Sequence, residues 1–83
     1  MDKSHIFGKV AEVVAKYYHI NADNIDLETE FIKDLHSDSV DALAILYELE
    51  LAFNLRLDYS KRFFTVSDSV EMIWSLLQEG NHE

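Results

Sequence analysis

The sequence predicts an all-α fold of three main helices, with a helical fragment before the last one and a long loop between the first two. Three segments repeat apolar residues at a spacing of three or four, whereas the alternation typical of strands is absent. The chain contains no proline, and small polar residues separate the periodic segments. Its 83 residues suit one short domain, so we expect residues 1–83 to fold as a unit.

The first helix is predicted close to the start of the chain. Ser4 is expected to be its N-cap, because a serine oxygen accepts a hydrogen bond from an unpaired backbone N–H. Residues 21–24, Asn-Ala-Asp-Asn, should end the helix, since short polar side chains compete for backbone hydrogen bonds. The apolar residues of this helix are Ile6, Val10, Val13, Val14 and Tyr17.

A connection of roughly twenty residues follows the first helix. Loops of such length in compact domains are usually functional or disordered. Apolar residues spaced among the acids are expected to pin this loop to the core, which favours a functional loop. These residues are Ile25, Leu27, Phe31, Ile32 and Leu35.

The second helix is predicted from about Ser39 to Phe53 and the last from about Ser67 to Gln78. Thr65 or Ser67 should cap the last helix, and Gly80 should stop it. Residues 58–62 between the two helices are predicted to form one helical turn. The apolar face of the last helix consists of Val70, Ile73, Trp74 and Leu77.

The second helix has two opposed apolar faces, whereas a surface helix usually has one. One face is Ala42, Ile45, Leu46, Leu49 and Phe53. The other, which we name the apolar strip, is Val40, Leu43, Tyr47 and Leu51, edged by Asp41, Glu48 and Glu50. Three helices can hardly cover both sides of one of them, so the strip is predicted to face a partner or cargo. The alternative is that the long loop or the last helix covers it.

Negative charge is concentrated in one part of the chain. Of a net charge of −9, residues 23–50 contribute nine acids against Lys33 alone. A field of this sign repels phosphate backbones, which argues against nucleic-acid binding, and it would steer a partner with a basic surface. The alternative is a solvated acidic loop that has no partner.

Composition excludes several other classes of protein and site. Without cysteine there are no disulfides or thiolate metal sites, and no apolar run reaches the roughly 20 residues of a membrane span. The first residues do not resemble a signal peptide, so a cytoplasmic protein is expected. The four histidines lack metal-ligand spacing and are expected to be exposed: His5, His19, His36 and His82.

An enzyme is not expected either. Ser39 lies near Asp38, Asp41 and His36, which resembles a nucleophile with a base. However, so small a domain cannot enclose a water-excluded cleft, and the chain has no glycine-rich phosphate loop. From the local pattern alone, Ser39 is most simply the N-cap of the second helix.

A wider resemblance changes this interpretation of Ser39. Residues 34–41 read Asp-Leu-His-Ser-Asp-Ser-Val-Asp. They resemble the Asp-Leu-Gly-x-Asp-Ser-Leu-Asp loop that leads into the second helix of the acyl carrier protein family. The resemblance continues through Leu49, Glu50 and Phe53, and through Thr65-Val66. It covers residues 6–78.

The resemblance implies a four-helix bundle in which Ser39 carries a 4′-phosphopantetheine arm, donated from coenzyme A by a phosphopantetheinyl transferase. The thiol of the arm would carry acyl groups as thioesters. Asp38 and Asp41 would cap the helix and contact the transferase. A monomer is expected, whose partners are acyl-transferring or synthase enzymes with basic docking patches. The expected partner-binding residues are Asp38, Val40, Asp41, Leu43, Tyr47, Glu48 and Leu51; a groove for the acyl chain is expected from Phe31, Val40, Ile45, Leu46 and Trp74.

The chain departs from the family pattern at several positions. His36 replaces the usual glycine, so a turn of different shape is expected, because a side chain disfavours positive φ. Ala44 stands where many fatty-acid carriers have a glutamate, and Lys61 and Arg62 stand where acids are common. A carrier for fatty-acid, lipid or polyketide-type synthesis is expected; the differences argue against assuming the housekeeping fatty-acid synthase as its partner, and a specialised carrier of a dedicated pathway fits equally well. Two alternatives stay open: a peptidyl or aryl carrier, and a helical adaptor that has no arm.

Overall fold

Three α-helices make up most of the described protein. The computed structural model describes residues 2–58 and 63–80. Helix α1 spans Lys3–Tyr18, α2 spans Ser39–Phe53 and α3 spans Val66–Gly80, and a 3₁₀ turn lies at Ala22–Asn24. Within the described residues the only β pairing is an isolated bridge between Glu30 and Thr65. The all-α class is confirmed; the fourth helix, predicted at 58–62, falls on residues 59–62, which lie outside the described ones.

Helix α1 begins earlier than predicted, and Asp2 caps it. The Asp2 Oδ1 atom accepts a hydrogen bond from the His5 backbone N–H at 2.9 Å. This bond holds the pKa of the Asp2 carboxyl below its ordinary value. The prediction of Ser4 as N-cap was wrong, because the helix starts at Lys3 and Ser4 already lies inside it. At the other end, His19 adopts a φ of 59° and closes the helix.

Helix α1 is the centre of the packing, because it contacts both α2 and α3. The side chains of Ile6, Val10 and Val14 are fully buried in the interior, at the three- and four-residue spacing noted in the sequence. Leu49 of α2 and Ile73 of α3 are also fully buried. The remaining buried apolar residues are Ala11, Ala15, Ile25, Phe31, Ile45, Leu46, Leu57, Val66 and Val70.

Backbone hydrogen bonds tie the long loop to the start of α3. Phe31 N–H donates to Phe64 O at 3.0 Å, and Val66 N–H donates to Thr29 O at 2.9 Å. A third bond joins Ser67 N–H to Leu27 O at 2.9 Å. The loop is therefore part of the folded body and carries the chain to the beginning of α2.

Only three of the five predicted loop anchors face the core. Ile25 and Phe31 are buried and Leu35 is half-buried, as predicted. Leu27 and Ile32 are exposed, so the prediction was wrong for these two. Helical spacing does not govern a segment held by backbone bonds to another part of the chain, so the pattern could not say which side chains turn inward.

Thr65, not Ser67, caps α3. Its Oγ1 accepts a bond from the Asp68 N–H at 3.2 Å, while Asp68 Oδ2 accepts one from the Thr65 N–H at 3.0 Å. These are the reciprocal bonds of a capping box. The helix starts at Val66, one residue before the predicted start, and ends at Gly80.

The two leucines of α2 that differ most in exposure test this packing. Leu49→Ala should lower the free energy of unfolding by about 3 kcal/mol, since it removes a fully buried side chain. Leu51→Ala, a matched control two residues later, should change it by less than about 0.5 kcal/mol, because Leu51 is 60% exposed. Urea unfolding measures both changes. Equal losses in the two variants would contradict the assignment of the buried face of α2.

Candidate functional site

Reciprocal hydrogen bonds set the first residue of α2. Asp38 Oδ1 accepts a bond from the Asp41 N–H at 2.9 Å, and Asp41 Oδ2 accepts one from the Asp38 N–H at 3.3 Å. Asp38 is therefore the N-cap, which agrees with the predicted capping role of Asp38 and Asp41. Ser39 is the first helical residue, so the simpler interpretation of Ser39 as the cap was wrong.

This arrangement leaves the Ser39 hydroxyl available. Ser39 is exposed, and its hydroxyl makes no hydrogen bond within the described part of the chain. Only the Asp41 N–H of the first turn is satisfied by the Asp38 carboxylate. The N–H groups of Ser39 and Val40 point out of the helix start, where the positive end of the helix dipole favours a phosphate.

Asp41 also joins α2 to α1. The Tyr17 hydroxyl donates to Asp41 Oδ1 at 2.9 Å, and this bond raises the pKa of Tyr17. The sequence placed Tyr17 only on the apolar face of the first helix, and no pattern in the sequence pairs it with Asp41. The aspartate is half-buried, which limits its contact with a partner.

The turn before Ser39 reaches positive φ without glycine. His36 adopts a φ of 56°, in the left-handed region, at a cost of about 1 kcal/mol for a residue with a side chain. The next residue, Ser37, is 6% exposed and donates its N–H to Phe31 O at 3.0 Å. Its hydroxyl has no partner among the described residues. The chain thus presents one exposed and one buried serine on either side of Asp38.

An apolar groove of about 390 Å³ opens beside Ser39. Phe31, Ile45 and Leu46 line it, as predicted. Val40 and Trp74 do not line the groove. Val40 is 73% exposed, and Trp74 lies against Lys3, whose Nζ is 4.7 Å from the ring centroid. The sequence missed the other lining residues, which come from three separate segments: Ile32, Ser39, Ala42, Leu43, Leu49, Phe63, Phe64 and Ser69.

The apolar strip faces solvent. Its four side chains are exposed by 73% (Val40), 53% (Leu43), 55% (Tyr47) and 60% (Leu51). The alternative that the loop or the last helix covers the strip is therefore wrong. Of the three acids predicted at its edges, only Glu48 is exposed; Asp41 and Glu50 are half-buried.

Other kinds of site find no support in residues 2–58 and 63–80. No group of three metal-binding side chains occurs there. His5, His19 and His36 are exposed as predicted, and His82 lies outside the described residues. None of the described helices has the length and apolar character needed to cross a membrane.

Comparison with known proteins decides the family. The chain is 35% identical over 75 residues to the acyl carrier protein of Borrelia garinii subsp. bavariensis, covering 88% of this chain and 94% of the relative. It is 31% identical over 77 residues to the acyl carrier protein of Lactobacillus acidophilus, covering 90% and 96%. The chain belongs to the acyl carrier protein family. The acyl carrier protein of Wolinella succinogenes matches at 31% over 70 residues, covering 82% and 92%. No family model matches the chain.

Membership of this family establishes the type of function. The protein is an acyl carrier and not an enzyme. Acyl carrier proteins bear phosphopantetheine and work with a phosphopantetheinyl transferase and with synthase enzymes.

Tyr18, the last residue of α1, makes the stability of the folded protein sensitive to alkaline pH. Burial, and to a smaller extent the nearby charge of Asp41, raise the pKa of Tyr18 to about 12 from an ordinary value of 10.0. The hydroxyl has no partner among the described residues. The folded protein therefore holds the phenolic proton more tightly than the unfolded chain does.

This difference predicts a loss of stability at high pH. Because the folded pKa is raised, the contribution of Tyr18 is complete below pH 10.0 and is lost as the pH rises towards about 12. The urea midpoint of the parent protein should fall over this range, and it should fall less steeply for Tyr18→Phe. Tyr47→Phe removes an exposed hydroxyl and is the matched control. A Tyr18→Phe profile that parallels the parent profile would rule this explanation out.

Proposed function

We propose that the Ser39 hydroxyl carries a 4′-phosphopantetheine arm joined by a phosphodiester. In the modification step, Ser39 Oγ attacks the phosphorus of coenzyme A that is bonded to pantetheine. The bond from that phosphorus to the bridging oxygen breaks, and adenosine bisphosphate leaves. A transferase supplies the base that takes the hydroxyl proton. No oxidant or reductant is needed.

The exposure of Ser39 at the first position of α2 carries this proposal. Since Asp38 performs the capping, the serine oxygen can be esterified without breaking the bonds that start the helix. The attached phosphate would lie near the N–H groups of Ser39 and Val40, at the favourable end of the helix dipole. The Asp38 and Asp41 carboxylates accept hydrogen bonds from backbone N–H groups. These hydrogen bonds partly offset the electrostatic repulsion between the two carboxylates and an attached phosphate.

The arm gives the carrier its mechanism. Its terminal thiol holds the acyl group as a thioester, and the tether keeps the cargo at high effective concentration near each enzyme that docks. The groove beside Ser39 would shelter an acyl chain between visits, because its lining is apolar and Ser39 lies on its rim. The carrier itself makes and breaks no bonds of the cargo.

Partner enzymes would approach the end of the molecule that bears Ser39. The transferase and the acyl-transferring enzymes of fatty-acid, lipid or polyketide-type synthesis would meet Asp38 and Glu48 with basic side chains and the apolar strip with apolar ones. Residues 1–83 would act as one monomeric carrier domain. A location in the cytoplasm stays a prediction.

Intact-mass measurement tests the attachment site. Apo-protein incubated with coenzyme A and a phosphopantetheinyl transferase should gain the mass of one phosphopantetheine group. Ser39→Ala should gain none, because the accepting oxygen is absent. The matched control is Ser37→Ala, which removes the neighbouring buried serine and should be modified like the parent.

Two results would overturn the proposal. Modification that persists in Ser39→Ala would place the arm elsewhere, and a parent protein that stays unmodified with several transferases would favour an adaptor without an arm. Far-ultraviolet circular dichroism of each variant shows whether the helices are retained.

A further inference from the structure

The exposed surface of α2 has almost no charge. Seven residues of this helix are exposed, and Glu48 is the only charged one. The other six include the whole apolar strip, together with Ser39 and Ala42. A chain with a net charge of −9 thus presents a mostly apolar helix face next to its proposed modification site.

The other two acids of α2 serve the fold. Asp41 accepts hydrogen bonds from the Asp38 N–H and from the Tyr17 hydroxyl. Glu50 Oε2 accepts a bond from the Leu57 N–H at 2.8 Å, and its side chain is half-buried. Moving either carboxylate to meet a basic partner would break bonds that hold α2 in place, so neither is well suited to docking.

The apolar surface continues beyond the helix. Ile32 is 68% exposed and Phe64 is 58% exposed. Both line the groove that Leu43 also lines, so they extend the strip across its mouth. We name the combined set the apolar docking surface: Ile32, Val40, Leu43, Tyr47, Leu51 and Phe64. Leu43 links the two groups, since it belongs to the strip and lines the groove with Ile32 and Phe64. Exposed apolar patches on a protein surface mark interaction sites.

Charge and position identify the occupant. A second copy of the chain would bring together two molecules that each carry a net charge of −9, which disfavours self-association. An enzyme that reaches Ser39 must cover the first turn of α2, where Val40 is the next residue. From Ser39 the strip runs about 18 Å along the helix, a length that one docked enzyme can cover.

We infer that the enzyme that modifies Ser39 holds this carrier chiefly by burying the apolar docking surface, with charge contributing little affinity. The enzyme would present an apolar patch with basic residues confined to the edge facing Asp38 and Glu48. Tyr47 is the central anchor, because large aromatic side chains dominate the affinity of protein interfaces. Charges at a rim act mainly on the association rate and its salt dependence. This inference rests on the proposed function of Ser39.

Steady-state kinetics with a phosphopantetheinyl transferase and coenzyme A test the inference. The varied substrate is the apo-protein, at salt concentrations of about 50 and about 500 mM. The double variant Tyr47→Ser/Leu51→Ser should raise KM at least about tenfold at both concentrations while kcat stays near the parent value. Glu48→Gln and added salt should each raise the KM by less than about threefold. Leu27→Ser, which alters an exposed leucine away from this surface, is the matched control and should leave KM unchanged.

The outcomes separate the inference from the function it rests on. If Glu48→Gln or salt raises the KM about tenfold while Tyr47→Ser/Leu51→Ser does not, docking depends on charge and the inference is wrong. If the parent protein is not modified at Ser39 at all, the proposed function fails first. Urea unfolding of each variant confirms that its KM belongs to a folded protein.

Discussion

The reciprocal hydrogen bonds between Asp38 and Asp41 determine much of the arrangement at this end of the molecule. They make Asp38 the last residue before α2, and so they place Ser39 in the first turn with its hydroxyl unused. The same Asp41 accepts the Tyr17 hydroxyl, which ties the start of α2 to α1. One carboxylate thereby sets both where the helix begins and how it sits against the central helix. A shift of one residue in the start of α2 would rotate Ser39 by about 100° around the helix axis.

The acidic residues of segment 23–50 both accept backbone hydrogen bonds and make the protein surface negative, and composition alone does not distinguish these two roles. Asp26 and Asp34 accept backbone N–H bonds within the loop, from Glu28 at 3.0 Å and from Glu30 at 2.8 Å. Asp38 and Glu50 do the same at the two ends of α2. These carboxylates still contribute to the long-range field around the carrier. Their positions are set by the fold, however, so a partner cannot reorient them freely. Some of the acidic residues that suggest electrostatic docking thus serve to stabilise the loop and the helix caps.

A carrier of this size must keep its cargo site open to visiting enzymes and still hold a core. Helix α1 meets this requirement because it packs against α2 and α3 together. The groove lies between α2, the loop and the start of α3, where Phe31 from the loop and Ser69 from α3 form parts of its wall. The bonds between the loop and residues 64–67 hold these walls together. The loop is therefore as important to the groove as the helices are.

The sequence by itself determined the helices and the family. The apolar periods predicted α2 at Ser39–Phe53 as observed, and residues 34–41 indicated the acyl carrier protein family. Two opposed apolar faces predicted that the side of α2 bearing Tyr47 would lack a cover, because the chain has too few helices to bury both. Only the tertiary structure decided that Asp2 caps α1 in place of Ser4. It decided between the two caps that the sequence had offered for α2, in favour of Asp38 over Ser39. It also decided which loop residues line the groove. The physical reason is that periodicity reports which residues are apolar along one element, whereas caps, groove walls and the Tyr17–Asp41 bond depend on segments that folding brings together.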